Sequence, residues 1–208
     1  ELLRLSLPAA GERLMMRAGD VVIIAIVVTF GTDAVAGNAI GEVLTQFNYM
    51  PAFGVATATV MLAAHAVGEG DMQAVGRIRQ RSFWLSFACM LPLALGIFAL
   101  GRPLTLLYTD NSGALAASLL VIFFSLLGTP MTVGTVIYTA VWQGMGNARL
   151  PFYATTMGMW LIRIIAGYLL GVTCGWGLAG VWVGTLLDNG FRWLLLKTLY
   201  HRKMRKIT

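Results

Sequence analysis

Charge is what this sequence has least of. Asp, Glu, Lys and Arg make up 12% of its 208 residues, about half the share of an ordinary soluble domain. Hydrophobic residues make up 58%, and the mean hydropathy is +0.76. This balance excludes intrinsic disorder, a coiled coil and a typical water-soluble enzyme. Cysteine is nearly absent: Cys89 and Cys174 both lie in apolar stretches and supply neither a disulfide framework nor a thiolate metal site. His65 and His201 are the only histidines, and neither has a second ligand at metal-binding spacing. No H-E-x-x-H, G-x-S-x-G or phosphate-binding loop occurs. The chain is therefore not read as an enzyme, and no metal or organic cofactor is expected. It opens on Glu1 with no signal-peptide pattern, and reads as a piece of something longer.

What the chain does have is apolar length. Crossing ~30 Å of hydrocarbon takes about 20 residues as a helix. Six stretches qualify, at about 5–30, 34–67, 82–101, 113–144, 151–170 and 177–197, followed by a basic tail at 199–208. Breaks are expected at Gly31-Thr32-Asp33, Gly68-Glu69-Gly70-Asp71, Arg102-Pro103, Asp110-Asn111-Ser112-Gly113, Gly146-Asn147 and Gly175-Trp176-Gly177. The second of these matches a G-x-G-D string of intramembrane aspartyl proteases, but no tyrosine–aspartate pair precedes it, so a turn is expected. The sequence thus predicts an all-α integral membrane fold of six transmembrane helices.

Orientation follows from the basic residues in the connections. With six spans both ends lie on one side, and that side collects Arg4, Arg77, Arg79, Arg81, Arg149, Arg202, Lys203, Arg205 and Lys206. The other side holds Arg102 alone. Both termini are expected in the cytoplasm, the tail facing anionic lipid. The net charge of +6 is accounted for in this way, and no nucleic-acid partner is expected. The stretch 34–67 would measure roughly 50 Å as one straight helix. Pro51 in its middle, and Gly128, Pro130 and Gly134 in the fourth span, are expected to kink their helices. Such bends either line a cavity or fit a long helix to the bilayer.

Ionisable groups inside a span are costly and face the bundle interior or water. The first span carries Glu12, Arg13, Arg17 and Asp20. At about 100° per residue all four fall within an arc of about 140°. Arg17 and Asp20 can pair across a turn. Glu12 has no opposite charge at helical spacing, so its carboxyl can take up a proton near neutral pH. Two readings of Glu12 stand: a proton or cation site, or an interfacial carboxylate, since it lies only about 10 Å along from Leu5. In the sixth span Asp188 and Arg192 have the i,i+4 spacing of an ion pair. Arg163 in the fifth span has no local partner and needs one on another helix or on a ligand. Asn38, Glu42, Gln46 and Asn48 cluster before Pro51, and Thr129, Thr132, Thr135, Tyr138, Thr139 and Gln143 follow Gly128. These groups hydrogen-bond between helices or line a substrate path. The candidates for ion coupling or substrate contact are Glu12, Asp20, Arg17, Gln46, Tyr138, Arg163 and Asp188.

Several stretches taken together resemble the multidrug and toxic compound extrusion (MATE) family, in the second of its two six-helix lobes. They are Leu5-Ser6-Leu7-Pro8-Ala9-Ala10-Gly11-Glu12, Gly37-Asn38-Ala39-Ile40 with Gly54-Val55-Ala56-Thr57-Ala58, Gly68-Glu69-Gly70-Asp71 with Ala74 and Arg77, Gln143 to Pro151, and Gly177-Leu178-Ala179-Gly180-Val181-Trp182. The resemblance covers essentially the whole chain, with its strings in the family's order. It implies secondary antiport, a proton or sodium ion moving inward while an organic cation, often a drug, moves out of a bacterial cell across its inner membrane. It implies an N-terminal six-helix lobe as partner, and substrate in the cleft between lobes. Glu12 matches the family's acid on the seventh helix. The stretch matching the tenth helix, Thr129 to Gly134, has no acid, which favours protons over sodium or moves the coupling acid to the other lobe.

Two other readings remain. A lipid-linked oligosaccharide flippase of the same superfamily would use Arg13, Arg17 and Arg163 toward an anionic cargo. A six-helix membrane subunit without coupled transport would need none of them.

Overall fold

Turn chemistry sets where the helices stop. The computed structural model describes residues 2–206 and consists of α1 (Leu2–Val28), α2 (Thr32–Gly68), α3 (Met72–Ala99), the short α4 (Gly101–Leu106), α5 (Ser112–Gly144), α6 (Arg149–Thr173) and α7 (Leu178–Met204). No strand occurs among the described residues. Glu1, Ile207 and Thr208 lie outside them, the last two closing the expected basic tail. Gly70 and Gly146 adopt φ of 76° and 78° at the α2–α3 and α5–α6 turns, a region side chains resist. Asn111 caps α5 by accepting from the amides of Gly113 and Ala114, and its own amide donates to Asp33 across the α1–α2 turn at 2.8 Å.

Several boundaries differ from those read in the sequence. Asp71 caps α3 by accepting from the Ala74 amide at 2.8 Å, so the helix begins at Met72 instead of Ser82. The arginine-bearing turns from 72 to 81 are helical without being apolar, which hydropathy cannot register. Between α3 and α4 the break falls at Leu100, with Pro103 in the first turn of α4, where its missing N–H goes unneeded. Pro51 and Pro130 sit inside α2 and α5, which run unbroken past them. Helix α7 continues to Met204, making His201, Arg202 and Lys203 its last turn, where positive charge complements the helix dipole. Helix α6 is irregular, with π-helical turns at Gly158–Arg163 and Leu169–Thr173.

The helices pack as two groups. One is α2, α3 and α5, the other α1, α6 and α7, and α5 against α7 joins them. In the first group Gly37 and Gly41 of α2 lie on α5, where a Cβ at Gly41 would stand 2.6 Å from Val121. Hydroxyl pairs cross between helices at Tyr49–Ser125 (2.9 Å) and Thr59–Ser82 (2.7 Å). In the second group the backbones of α6 and α7 touch. Gly167 and Gly171 meet Gly184 and Gly180, and a Cβ at Gly184 would lie 2.8 Å from the Gly167 nitrogen. Small residues four apart on both helices allow this approach where no hydrophobic force drives helices together. Helix α1 packs mainly on α6, with Gly19 against Met159 and Gly11 against Phe152.

Helices α2, α3, α5 and α6 are long and apolar enough to cross a membrane. Helix α1, with its five ionisable groups, and α7, with Asp188, Asn189 and Arg192, are long but fall below that measure. Outward faces are strongly apolar, including Leu14, Val21, Phe47, Met50, Trp84 and Leu107. A surface of that kind suits a hydrocarbon solvent or another protein face, not water.

Gly184→Leu should separate α6 from α7 and lower stability by about 1–3 kcal/mol, as overpacking does. Thermal unfolding in detergent measures it, with Gly54→Leu, where nothing lies within 4 Å, leaving the midpoint in place. The Asp71 carboxyl is held below the usual carboxylate range by the Ala74 amide and by the Arg77 guanidinium at 3.1 Å. A folded value below the unfolded one means its stabilisation is present above the unfolded value and is lost as pH falls through the folded one. Protection from hydrogen exchange at the start of α3, relative to the intrinsic rate at each pH, should therefore fall on acidification, and Asp71→Ala should lower it at neutral pH.

Candidate functional site

Four charges on one arc of α1 must face something other than hydrocarbon, and the two helices beside α1 supply the partners. Glu12 is 8% exposed. Its Oε1 accepts from the Thr155 hydroxyl of α6 at 2.9 Å, and its Oε2 from the Gln143 amide at the end of α5 at 3.3 Å. Among the described residues it makes no salt bridge. Arg13 and Arg192 are close enough for their charges to act on it. Two turns further along α1, Asp20 accepts from the Arg163 guanidinium of α6 at 3.3 Å and lies 3.7 Å from Arg17. Arg163 also donates through Nε to the Thr185 hydroxyl of α7 at 3.1 Å. Its partner is thus on another helix. Arg17 projects outward, its side chain 84% exposed.

Helix α7 contributes the third element. Asp188 is fully buried and accepts from Arg192 one turn on, at 2.8 Å. Arg192 also donates to Asn189 Oδ1 at 3.1 Å. Nearer the start of α7, the Trp182 indole donates to Asn38 Oδ1 of α2 at 3.0 Å, and Asn38 Nδ2 donates to Glu42 at 3.1 Å. Arg163 and Asp20 act electrostatically on Glu42, and Arg163 and Asp20 act likewise on Asp188. A polar seam therefore runs between α1, α2, α6 and α7. In it four carboxylates (Glu12, Asp20, Glu42, Asp188) face two guanidiniums (Arg163, Arg192), with Arg13 and Arg17 on the exposed side.

The structure brings Glu12, Asp20, Arg17, Arg163 and Asp188 to this seam and leaves two other candidates elsewhere. Tyr138 is 2% exposed in the α3–α5–α7 core, beside Val141, Trp142, Leu196 and Tyr200. Its hydroxyl accepts from Arg79 at 2.8 Å, and that guanidinium stacks over the rings of Tyr138 and Tyr200. Gln46 is exposed on α2 among Val43, Phe47 and Met50. Sequence reading passes over Thr155, and places Glu42, Asn38 and Gln143 only among general polar groups. Thr155 carries no signal of its own, being one of two adjacent threonines, 143 positions from Glu12. Glu42 does carry one, as a carboxylate shortly before Pro51 with Asn38 one helical turn ahead of it.

Among known protein families, the MatE family model matches residues 8–169, well over half of the chain. The "Probable multidrug resistance protein NorM" of Xanthomonas axonopodis pv. citri is 29% identical over 100% of this chain and 45% of its own length. The protein of the same name from Thermotoga maritima is 26% identical over 92% of this chain and 41% of its own. The "Uncharacterized transporter YisQ" of Bacillus subtilis is 25% identical over 94% and 43%. The chain spans less than half the length of each of these relatives. A MATE transporter solved in its straight conformation superposes with a TM-score of 0.90 at 20% identity, over 99% of this chain and 47% of that one. The shared fold is that of one six-helix lobe in a multi-pass membrane protein. Matched over most of its length and folded as such a lobe, the chain belongs to the MatE family.

Proposed function

We propose that this chain is one lobe of a secondary active antiporter that exports organic cations, drugs among them, in exchange for protons, with Glu12 as the coupling carboxylate. The observation that carries this reading is the pair of neutral partners on Glu12. Basic partners on both carboxylate oxygens would support only the ionised form. A threonine hydroxyl both donates and accepts, and a glutamine amide offers N–H on one side and C=O on the other. Thr155 and Gln143 can therefore satisfy the carboxylate by donating, and the carboxylic acid by turning an acceptor toward its proton. The site tolerates both protonation states while buried, which a proton-coupled carrier requires at each turnover. One carboxylate with two neutral groups also suits a proton better than a sodium ion, which takes several oxygen ligands.

Relatives named as multidrug resistance proteins support the drug-export part of the reading. Their greater length supports a second lobe as partner, with the substrate cleft between the two. Glu12 and Glu42, whose hydrogen-bond partners are neutral side chains, favour a cationic substrate. Of the arginines that the flippase alternative would use toward an anionic cargo, Arg163 is held by Asp20 and Thr185 and Arg17 lies 3.7 Å from Asp20, while Arg13 is exposed. On the same reading the protein sits in a bacterial inner membrane with both termini in the cytoplasm.

Transport by the full-length protein in proteoliposomes tests this. In the wild type a rise in pH should strengthen binding of an organic cation as Glu12 loses its proton, a coupling of about 5–150-fold. Glu12→Gln should abolish that dependence and proton-driven export with it, while binding itself survives. Undiminished proton-driven export by Glu12→Gln would overturn the assignment.

A further inference from the structure

The buried pair on α7 is an incomplete one. Asp188 has two carboxylate oxygens, and only Oδ2 has a partner, Arg192 at 2.8 Å. Oδ1 is buried with no hydrogen-bond partner, and so is Nε of Arg192. Asp188 is 0% exposed and the Arg192 side chain 6%. A buried ion pair is stable when the remaining lone pairs and protons of both groups are satisfied, and here one of each is left over. The unmatched oxygen sits against Gly158, in the first π-helical turn of α6, where a Cβ would collide with Oδ1 and stand 2.9 Å from Arg192 Cγ. One turn earlier the same helix presents Thr155 to Glu12. A single turn of α6 thus separates two carboxylates, and the Arg192 guanidinium acts on both of them.

We propose that Asp188 is a second proton-binding carboxylate, taking its proton on Oδ1, and that Arg192 is the cation it shares with Glu12. Every charge that faces Asp188 bears on this. Arg192 lies on its own helix, Arg163 reaches it from α6 and Asp20 from α1, with Glu12 beyond Arg192. Helix α5, on the other side of α7, carries no Asp, Glu, Lys, Arg or His between Ser112 and Gly144. When Glu12 is ionised, Arg192 has two carboxylates to compensate. Protonating Asp188 at the unpartnered oxygen then removes the surplus negative charge and leaves the guanidinium to Glu12. When Glu12 holds a proton, Arg192 serves Asp188 alone. The two sites hold their protons in opposition around one fixed positive charge. The role of this second site in transport rests on the antiport reading; its existence does not.

Isotope-edited infrared spectroscopy tests the site directly. Difference spectra of the full-length protein in lipid nanodiscs, recorded between acidic and alkaline pH with 13C-labelled aspartate, separate aspartic from glutamic carboxylic-acid bands. Beside the contributions of Asp20, Asp33, Asp71 and Asp110, one aspartic band should titrate in the wild type, be missing in Asp188→Asn, and persist to higher pH in Arg192→Gln, where the compensating charge is gone. Should Asp188→Asn fail to fold, the double variant Asp188→Asn/Arg192→Gln removes both charges together and should lose the same band. No aspartic band in the wild type, or one unchanged in both the single and the double variant, would overturn the proposal and leave a permanently ionised structural pair. The glutamic band reports separately: its survival in Glu12→Gln would contradict Glu12 as the coupling acid while the aspartic result stood.

Discussion

Everything in this lobe depends on a solvent that cannot hydrate charge. In hydrocarbon a carboxylate or guanidinium finds its partner inside the protein or faces a water-filled gap. Helix α1 carries four such groups on one arc, and it packs beside α6, which answers them with Thr155 and Arg163, while Gln143 reaches Glu12 from the end of α5. The consequence is a division of labour. Helices α2, α3 and α5 form the more apolar group, tied by glycine contacts and hydroxyl pairs. Helices α1, α6 and α7 hold the ion pairs of the seam, with Glu42 and Asn38 of α2 reaching in at the edge.

The irregularity of α6 serves the same end. Its π-helical turns begin at Gly158, against Asp188, and the first ends at Arg163, which reaches both Asp20 and Thr185. A π turn inserts an extra residue and rotates the next stretch of helix about its axis, and such turns recur at functional sites. Beyond it, the glycines of α6 and α7 bring the two backbones into contact. The helix that arranges the charged seam is thus clamped on α7 at one end and carries Thr155 at the other.

Much of this is legible in the residues. Apolar length and turn glycines mark the helices, the i,i+4 spacing marks the Asp188–Arg192 pair, and the lack of a local partner for Arg163 requires one on another helix. Other features are not legible. Hydropathy misses the first turns of α3, because arginines there lower it without disfavouring a helix. It likewise assigns the last turn of α7 to a tail. The partners of Glu12 come from positions 131 and 143 residues away, and nothing in a threonine or a glutamine announces which carboxylate it will meet. Tyr138 and Gln46 look equivalent to the others as polar groups in apolar helices. Only packing separates a hydroxyl on Arg79 in the core from an amide on an outward face.

A buried carboxylate on α1, held by neutral donors, is proposed to exchange its proton for a cationic substrate. Proton release on substrate binding, measured by a pH indicator in weakly buffered solution with the full-length protein, addresses that exchange most directly. The account predicts that adding an organic cation near neutral pH releases protons in proportion to the cation bound, and that the release vanishes in strongly alkaline solution, where Glu12 is already ionised. Saturating binding with no proton released at any pH would contradict it.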